Sequence, residues 1–188
     1  MTESENPCCV FFEQHAQHLK KVELLQQSGH AYEWEGCSAS KHSPGPVQSI
    51  EHVLRLVINP IHVDPETGGL KPSAVTDVKD KGCSVERLAH TTMEDSIARG
   101  RQVAISKNDA TPSGPARSIC GVANLSVDDI RKIKVGDNAR AFCIFDTALE
   151  SNPAHADVCQ VISPRGQEAR SARSQLLALA EKGLQSLQ

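Results

Sequence analysis

Hydrophobic positions along this chain change period several times, and each change predicts an element. Ala16, Leu19, Val22 and Leu25 recur at helical spacing in a background of Gln, Lys and Glu, which predicts a helix that stops at Gly29. Residues 36–46 (GCSASKHSPGP) exchange apolar content for Ser, Gly and Pro and read as a linker or long loop. The dense β-branched run at 53–58 predicts a strand, punctuated by Asn59-Pro60, and 64–71 (DPETGGLK) reads as an exposed loop. Ser84 is placed as the N-cap of a helix that runs through Glu86 and Leu88 to about Ala98 and ends at Gly100, followed by a short strand at 101–105. An extended pattern resumes at 117–125, and Ser126 opens a short helix with Asp128 and Asp129 in its first turn. Residues 140–145 are apolar on both alternating faces, as in a strand covered on both sides, with 158–162 as the neighbouring strand. Leu176, Leu177, Ala180, Leu184 and Leu187 form one stripe, which predicts a terminal amphipathic helix.

These elements predict an α+β fold, with a mixed or antiparallel sheet, a C-terminal amphipathic helix packed on it and an N-terminal helical appendage. Residues 1–46 are the helical segment and linker, and 47–188 are a single α+β domain. The length of 188 residues fits one domain, and 39% apolar against 23% charged residues is enough to bury a core.

A net charge of -3 and a pI near 6.2 provide no long-range attraction toward phosphate, so nucleic acid is not a favoured partner. Of the aromatic residues, Phe11, Phe12, Tyr32 and Trp34 crowd into the N-terminal segment, where they would dock a protein partner. The seven cysteines are odd in number, form no C-x-x-C pair and follow no secretory h-region, which predicts reduced thiols in a cytoplasmic protein. Cys143 and Cys159 sit in apolar runs and read as small buried hydrophobes. The apolar stretches are too short to cross a bilayer, so no membrane association is expected.

The most informative pattern is an internal echo. Asn59-Pro60-Ile61-His62-Val63-Asp64 and Asn152-Pro153-Ala154-His155-Ala156-Asp157 share the form N-P-x-H-x-D. Residues two apart on a strand point the same way, so each copy would present an imidazole beside a carboxylate. Such a pair suits general-base catalysis, and two pairs together would ligate a divalent metal, so His62, Asp64, His155 and Asp157 are the candidate catalytic and metal-binding residues. Against this stands the structural reading, in which Asn-Pro marks a chain reversal and the His and Asp are ordinary loop residues. Arg55, Ser73, Ser84 and Arg87 are candidates for holding a phosphate or carboxylate, the arginines through their planar forks. Arg87 and His90 would share a face if that segment were helical. Neither a Walker motif nor a dinucleotide fingerprint occurs.

The elements L-R-x-V-x-x-P-x-H-x-D over 54–64, K-P-S-A-V at 71–75, C-S-V-E-R at 83–87 and P-A-H-A-D at 153–157 resemble a family of small uncharacterised bacterial proteins with P-S-x-A-(F/V), S-V and late P-x-H-A elements. That resemblance covers 54–162, implies no activity, and directs attention to Ser73, Ser84, Arg87 and His155. A second similarity, to ADP-ribosyltransferase-like folds, implies Arg55 with Ser73 or Ser84 in a pocket for nicotinamide dinucleotide. The chain has no glutamate matching that family's late-strand catalytic position.

Three functions follow as expectations. One is a hydrolase or transferase acting on a phosphate-bearing ligand through the paired His-x-Asp motifs, with a divalent metal as the candidate cofactor. The others are a non-catalytic accessory protein that docks a partner through its N-terminal segment, and a nicotinamide-dinucleotide-binding protein of the ADP-ribosyltransferase kind.

Overall fold

The computed structural model describes residues 6–187, so the first five residues of the N-terminal segment and Gln188 lie outside the described residues. The helices are α1 (Pro7–Gln14), α2 (Lys21–Ser28), α3 (Ala31–Trp34), α4 (Met93–Ala110), α5 (Val127–Arg131) and α6 (Gln167–Lys182). The strands are β1 (His52–Asn59), β2 (Cys83–Arg87), β3 (Ser118–Ser126), β4 (Lys134–Val135), β5 (Ala139–Arg140), β6 (Phe142–Phe145), β7 (His155–Gln160) and β8 (Leu184–Ser186). Six strands form one antiparallel sheet in the order β6-β7-β2-β1-β3-β8, and β4 with β5 makes a separate hairpin. The chain is therefore α+β, with the sheet antiparallel throughout. Among the described residues no helix is long and apolar enough to cross a membrane.

Directly opposed residues of antiparallel strands share a face, so the register assigns every side chain. Val53, Cys83, Val85, Ala123, Leu125, Phe142, Ile144, Ala156 and Val158 fall on one face and join Ala172, Leu176 and Ala180 of α6 in the main core. Each buried Val, Leu, Ile or Phe there contributes roughly 1.5–3 kcal/mol relative to exposure. The opposite face carries two separate covers. Phe12, Val22, Leu25 and Ala31 from the N-terminal helices pack on Cys143, Phe145 and Cys159 as a second cluster. Helix α4 crosses β1 and β3 near the other edge.

Local rules account for the ends of several elements. Asn6 caps α1 by accepting from the Cys8 amide, and α2 stops at Gly29, whose φ of 73° lies in the left-handed region. Ser126 caps α5 as the sequence predicts. Three expectations are corrected. Ser84 caps no helix, because 83–87 is the strand β2, with Cys83 and Val85 facing the core and Ser84 and Glu86 facing away. Helix α4 begins later, with Thr92 accepting from the Asp95 amide. Gly100 does not end that helix and 101–105 is not a strand. Both lie inside α4, where a Cβ on Gly100 would stand 2.5 Å from Leu56 Cδ1, so glycine permits the close crossing. The terminal stripe also divides: Leu176 and Ala180 are buried beneath α6, whereas Leu184 belongs to β8 and pairs with Ala123.

Candidate functional site

Between the N-terminal helices and the loop before β7 lies a cavity of about 450 Å³. Its floor is made by Ser84 of β2 and by His155 and Asp157 of β7, which the register places side by side: Ser84 opposes Asp157, and Glu86 opposes His155. Lys21 of α2 closes one side, with Phe12, Ser40, His42, Lys81 and Thr147 around it. A polar floor on the face of the sheet turned away from the main apolar core departs from what packing alone would select. Ser84 is exposed there despite its interior strand.

Geometry gives each group a distinct role. Lys21 Nζ donates to Asp157 Oδ2 at 2.7 Å, with both side chains almost fully buried. Asp157 Oδ1 accepts from Ser84 Oγ at 3.3 Å and lies 4.0 Å from His155 Nε2. On the far side of the ring, His155 Nδ1 is 3.0 Å from both the Thr147 hydroxyl and the Thr147 carbonyl oxygen; the carbonyl can only accept, which favours the neutral tautomer with the proton on Nδ1 and the Nε2 lone pair toward the cavity. Burial acts against both members of the Lys21–Asp157 pair. Their mutual attraction outweighs it, holding the Asp157 pKa below and the Lys21 pKa above the ordinary values. His155 adds to the lowering at Asp157.

The structure brings His155, Asp157 and Ser84 together and puts the remaining candidates elsewhere. His62 lies past the end of β1, only 4% exposed, with Nδ1 accepting from the Ile58 amide at 3.2 Å and Nε2 3.5 Å from Arg55 Nη2. Burial, Arg55 and Lys71 push its pKa down to about 4, so it is neutral at physiological pH. Asp64 is half-buried at the loop surface and accepts from the Glu66 and Thr67 amides, both at 2.9 Å, as a loop-shaping residue does. Arg55 donates to the Ala74 and Ser84 carbonyls on the core side of the sheet. Ser73 donates to the Ile61 carbonyl at 2.6 Å. Arg87 is buried in a bidentate pair with Glu51, at 2.8 and 2.7 Å, and donates to the Gly45 carbonyl. It lies on a strand, so it shares no helical face with His90.

A divalent metal held by both His-x-Asp pairs does not fit this arrangement. The pairs do not converge, and among the described residues no group of three or more His, Cys, Asp and Glu side chains is placed to hold a metal ion. At the cavity, Asp157 Oδ2 is already taken by Lys21.

Sequence reasoning missed Lys21 and Thr147. Lys21 follows Lys20 in a polar helical stretch, where a lysine ordinarily reads as solvated, and only the 136-residue separation closed by the fold reveals its partner. The aromatic cluster expected to dock a partner is largely inward: Phe12 is buried against Phe145, and Phe11 packs on Trp34. The chain matches no family model, no curated protein and no solved structure, so the geometry of this cavity is what any functional reading must rest on.

Proposed function

We propose that the chain is a hydrolase or transferase whose reaction takes place in the Ser84–His155–Asp157 cavity, on a phosphate-bearing ligand. The 4.0 Å gap between His155 Nε2 and Asp157 Oδ1 carries this reading. It is too long for a hydrogen bond, but an oxygen seated between the two atoms would lie about 2.8 Å from each. A water held there would donate one hydrogen to Oδ1 and give the other to Nε2 as its oxygen attacks phosphorus, while the bond from phosphorus to the departing oxygen breaks and that oxygen takes a proton from solvent. The carboxylate would orient the attacking oxygen and stabilise the imidazolium that forms. Thr147 favours the required tautomer, and Lys81 and His42, which line the same cavity, are the groups available to an anionic part of the ligand. This version uses one His-x-Asp pair and routes no step through a metal.

The reading that docks a protein partner through the N-terminal segment draws support from Leu19 and Tyr32, which are 76% and 50% exposed. The nicotinamide dinucleotide reading draws none from Arg55, whose donors are engaged away from the cavity. A cytoplasmic, bacterial setting remains part of the proposal.

The test is a panel of chromogenic phosphate monoesters, diesters and anhydrides, assayed for turnover and for thermal stabilisation by the uncleaved analogues. Turnover that falls about 100-fold or more in His155→Asn supports the reading. No turnover and no stabilisation across the panel, or activity retained in His155→Asn, overturns it.

A further inference from the structure

We propose that Lys21 is a positioning residue that orients Asp157 in the site and also latches α1 and α2 as a cover, so that the cover and the site assemble and come apart together. The significance for ligand binding rests on the function proposed above; the latch itself does not.

The interior is divided. The main core lies on the α6 side of the sheet, and a second cluster holds Phe12, Val22 and Leu25 against Cys143, Phe145 and Cys159 on the other side. Helices α1 and α2 have eight residues each, too short to persist without tertiary support, so their contacts with the sheet decide whether they are in place. Beside that apolar packing, their polar ties to the rest of the chain are few. The Val22 amide donates to the Asp80 carbonyl at 2.8 Å, Gln26 donates to the Gln160 and Ile162 carbonyls, and Lys21 pairs with Asp157. The Lys21 ammonium also lies 5.4 Å from the centroid of the Phe12 ring, which ties α1 to the same point.

Lys21 holds Asp157 by Oδ2 alone, which leaves Oδ1 directed at Ser84 and His155. The groups that act on this pair come from two strands, His155 and Cys159 from β7 and Ser84 from β2, and Asp157 in turn acts on the Cys83 thiol. Removal of the cation would strand a buried carboxylate and free the cover in a single event. Local opening of this kind is expected where a layer is joined to the main body by a small satellite cluster.

The experiment is native-state alkylation of the intact chain, with each thiol followed by peptide mass spectrometry, in wild type, Lys21→Met, Asp157→Asn and Lys21→Arg. Cys143 and Cys159 lie wholly beneath the cover, and Cys83 faces the main core as an internal control. Lys21→Met and Asp157→Asn are each expected to accelerate labelling of Cys143 and Cys159 about 100-fold or more, as loss of one partner of a buried pair implies, and in every variant Cys83, reached only by global unfolding, is expected to label more slowly than either. Lys21→Arg is expected to restore most of the protection, because it keeps a cation for Asp157. Unchanged Cys159 labelling in Lys21→Met, or Cys83 labelling as fast as Cys159 in the wild type, overturns the proposal. A chain that passes this test and shows no ligand in the phosphate panel keeps its latch and loses the proposed function.

Discussion

The two N-P-x-H-x-D segments share four of six residues and occupy opposite environments. In the first, the His and Asp lie beyond the end of β1, where the chain has left the extended conformation. The alternation that would align them is therefore absent. His62 turns inward beside Arg55 and stays neutral, while Asp64 turns outward and closes its own loop. In the second, His155 opens β7, so His155 and Asp157 stand two apart on a paired strand and project into one cavity. The same spacing produces a constellation only where backbone hydrogen bonds to a neighbour hold the chain extended. Charge separates the copies further: the first imidazole faces a guanidinium, the second a carboxylate.

The sharpest way to break this comparison is to remove the carboxylate from each copy. Asp157→Asn leaves the Lys21 ammonium buried without a counter-charge and is expected to cost about 3–5 kcal/mol, a fall of about 10 °C in the thermal midpoint. Asp64→Asn should leave the midpoint where it is. Equal effects in the two variants would remove the distinction.

A second contrast is in pH dependence. His62 takes up its proton near pH 4 in the folded chain, against about 6.5 in the unfolded one, so the unfolded state binds more protons throughout that window and stability falls as the pH falls through it. The loss attributable to His62 is up to about 3 kcal/mol. His62→Gln should flatten this part of the stability profile measured by urea unfolding, whereas a profile that keeps its slope would show that His62 is not its source. A smaller loss of stability is expected at His155, where His155→Asn gives up the Thr147 hydrogen bond at a cost of about 1 kcal/mol while removing the proposed base. A much larger destabilisation would make His155 a structural residue like its counterpart.

Much of the fold was legible because single-face burial leaves a periodic trace. The run at 53–58, the Phe142–Phe145 part of the apolar strand expected over 140–145, the cap at Ser126 and the buried positions Leu176 and Ala180 appear where their patterns point, whereas Arg140 belongs to the separate hairpin strand β5. The segment CSVER was misread because Glu86 and Arg87 look like the exposed turn of a helix. Each is in fact buried by a distant partner, Glu86 by Arg99 and Arg87 by Glu51, so period two was hidden under charge. Gly100 was misread because the reason for it, the Leu56 side chain pressing on α4, belongs to another element.

The candidate site divides along the same line. Sequence by itself determined that His155 and Asp157 would share one side of a strand, since strand geometry is local, and it determined the apolar stripes that build the α6 face. Only the tertiary structure decided that Ser84 would stand opposite Asp157, that Lys21 would reach it from the N-terminal helices, and that His62 would be held apart by Arg55. Those outcomes depend on strand order and on which buried charges find partners. Both are set by desolvation and pairing between residues far apart in the chain, and no local pattern records them.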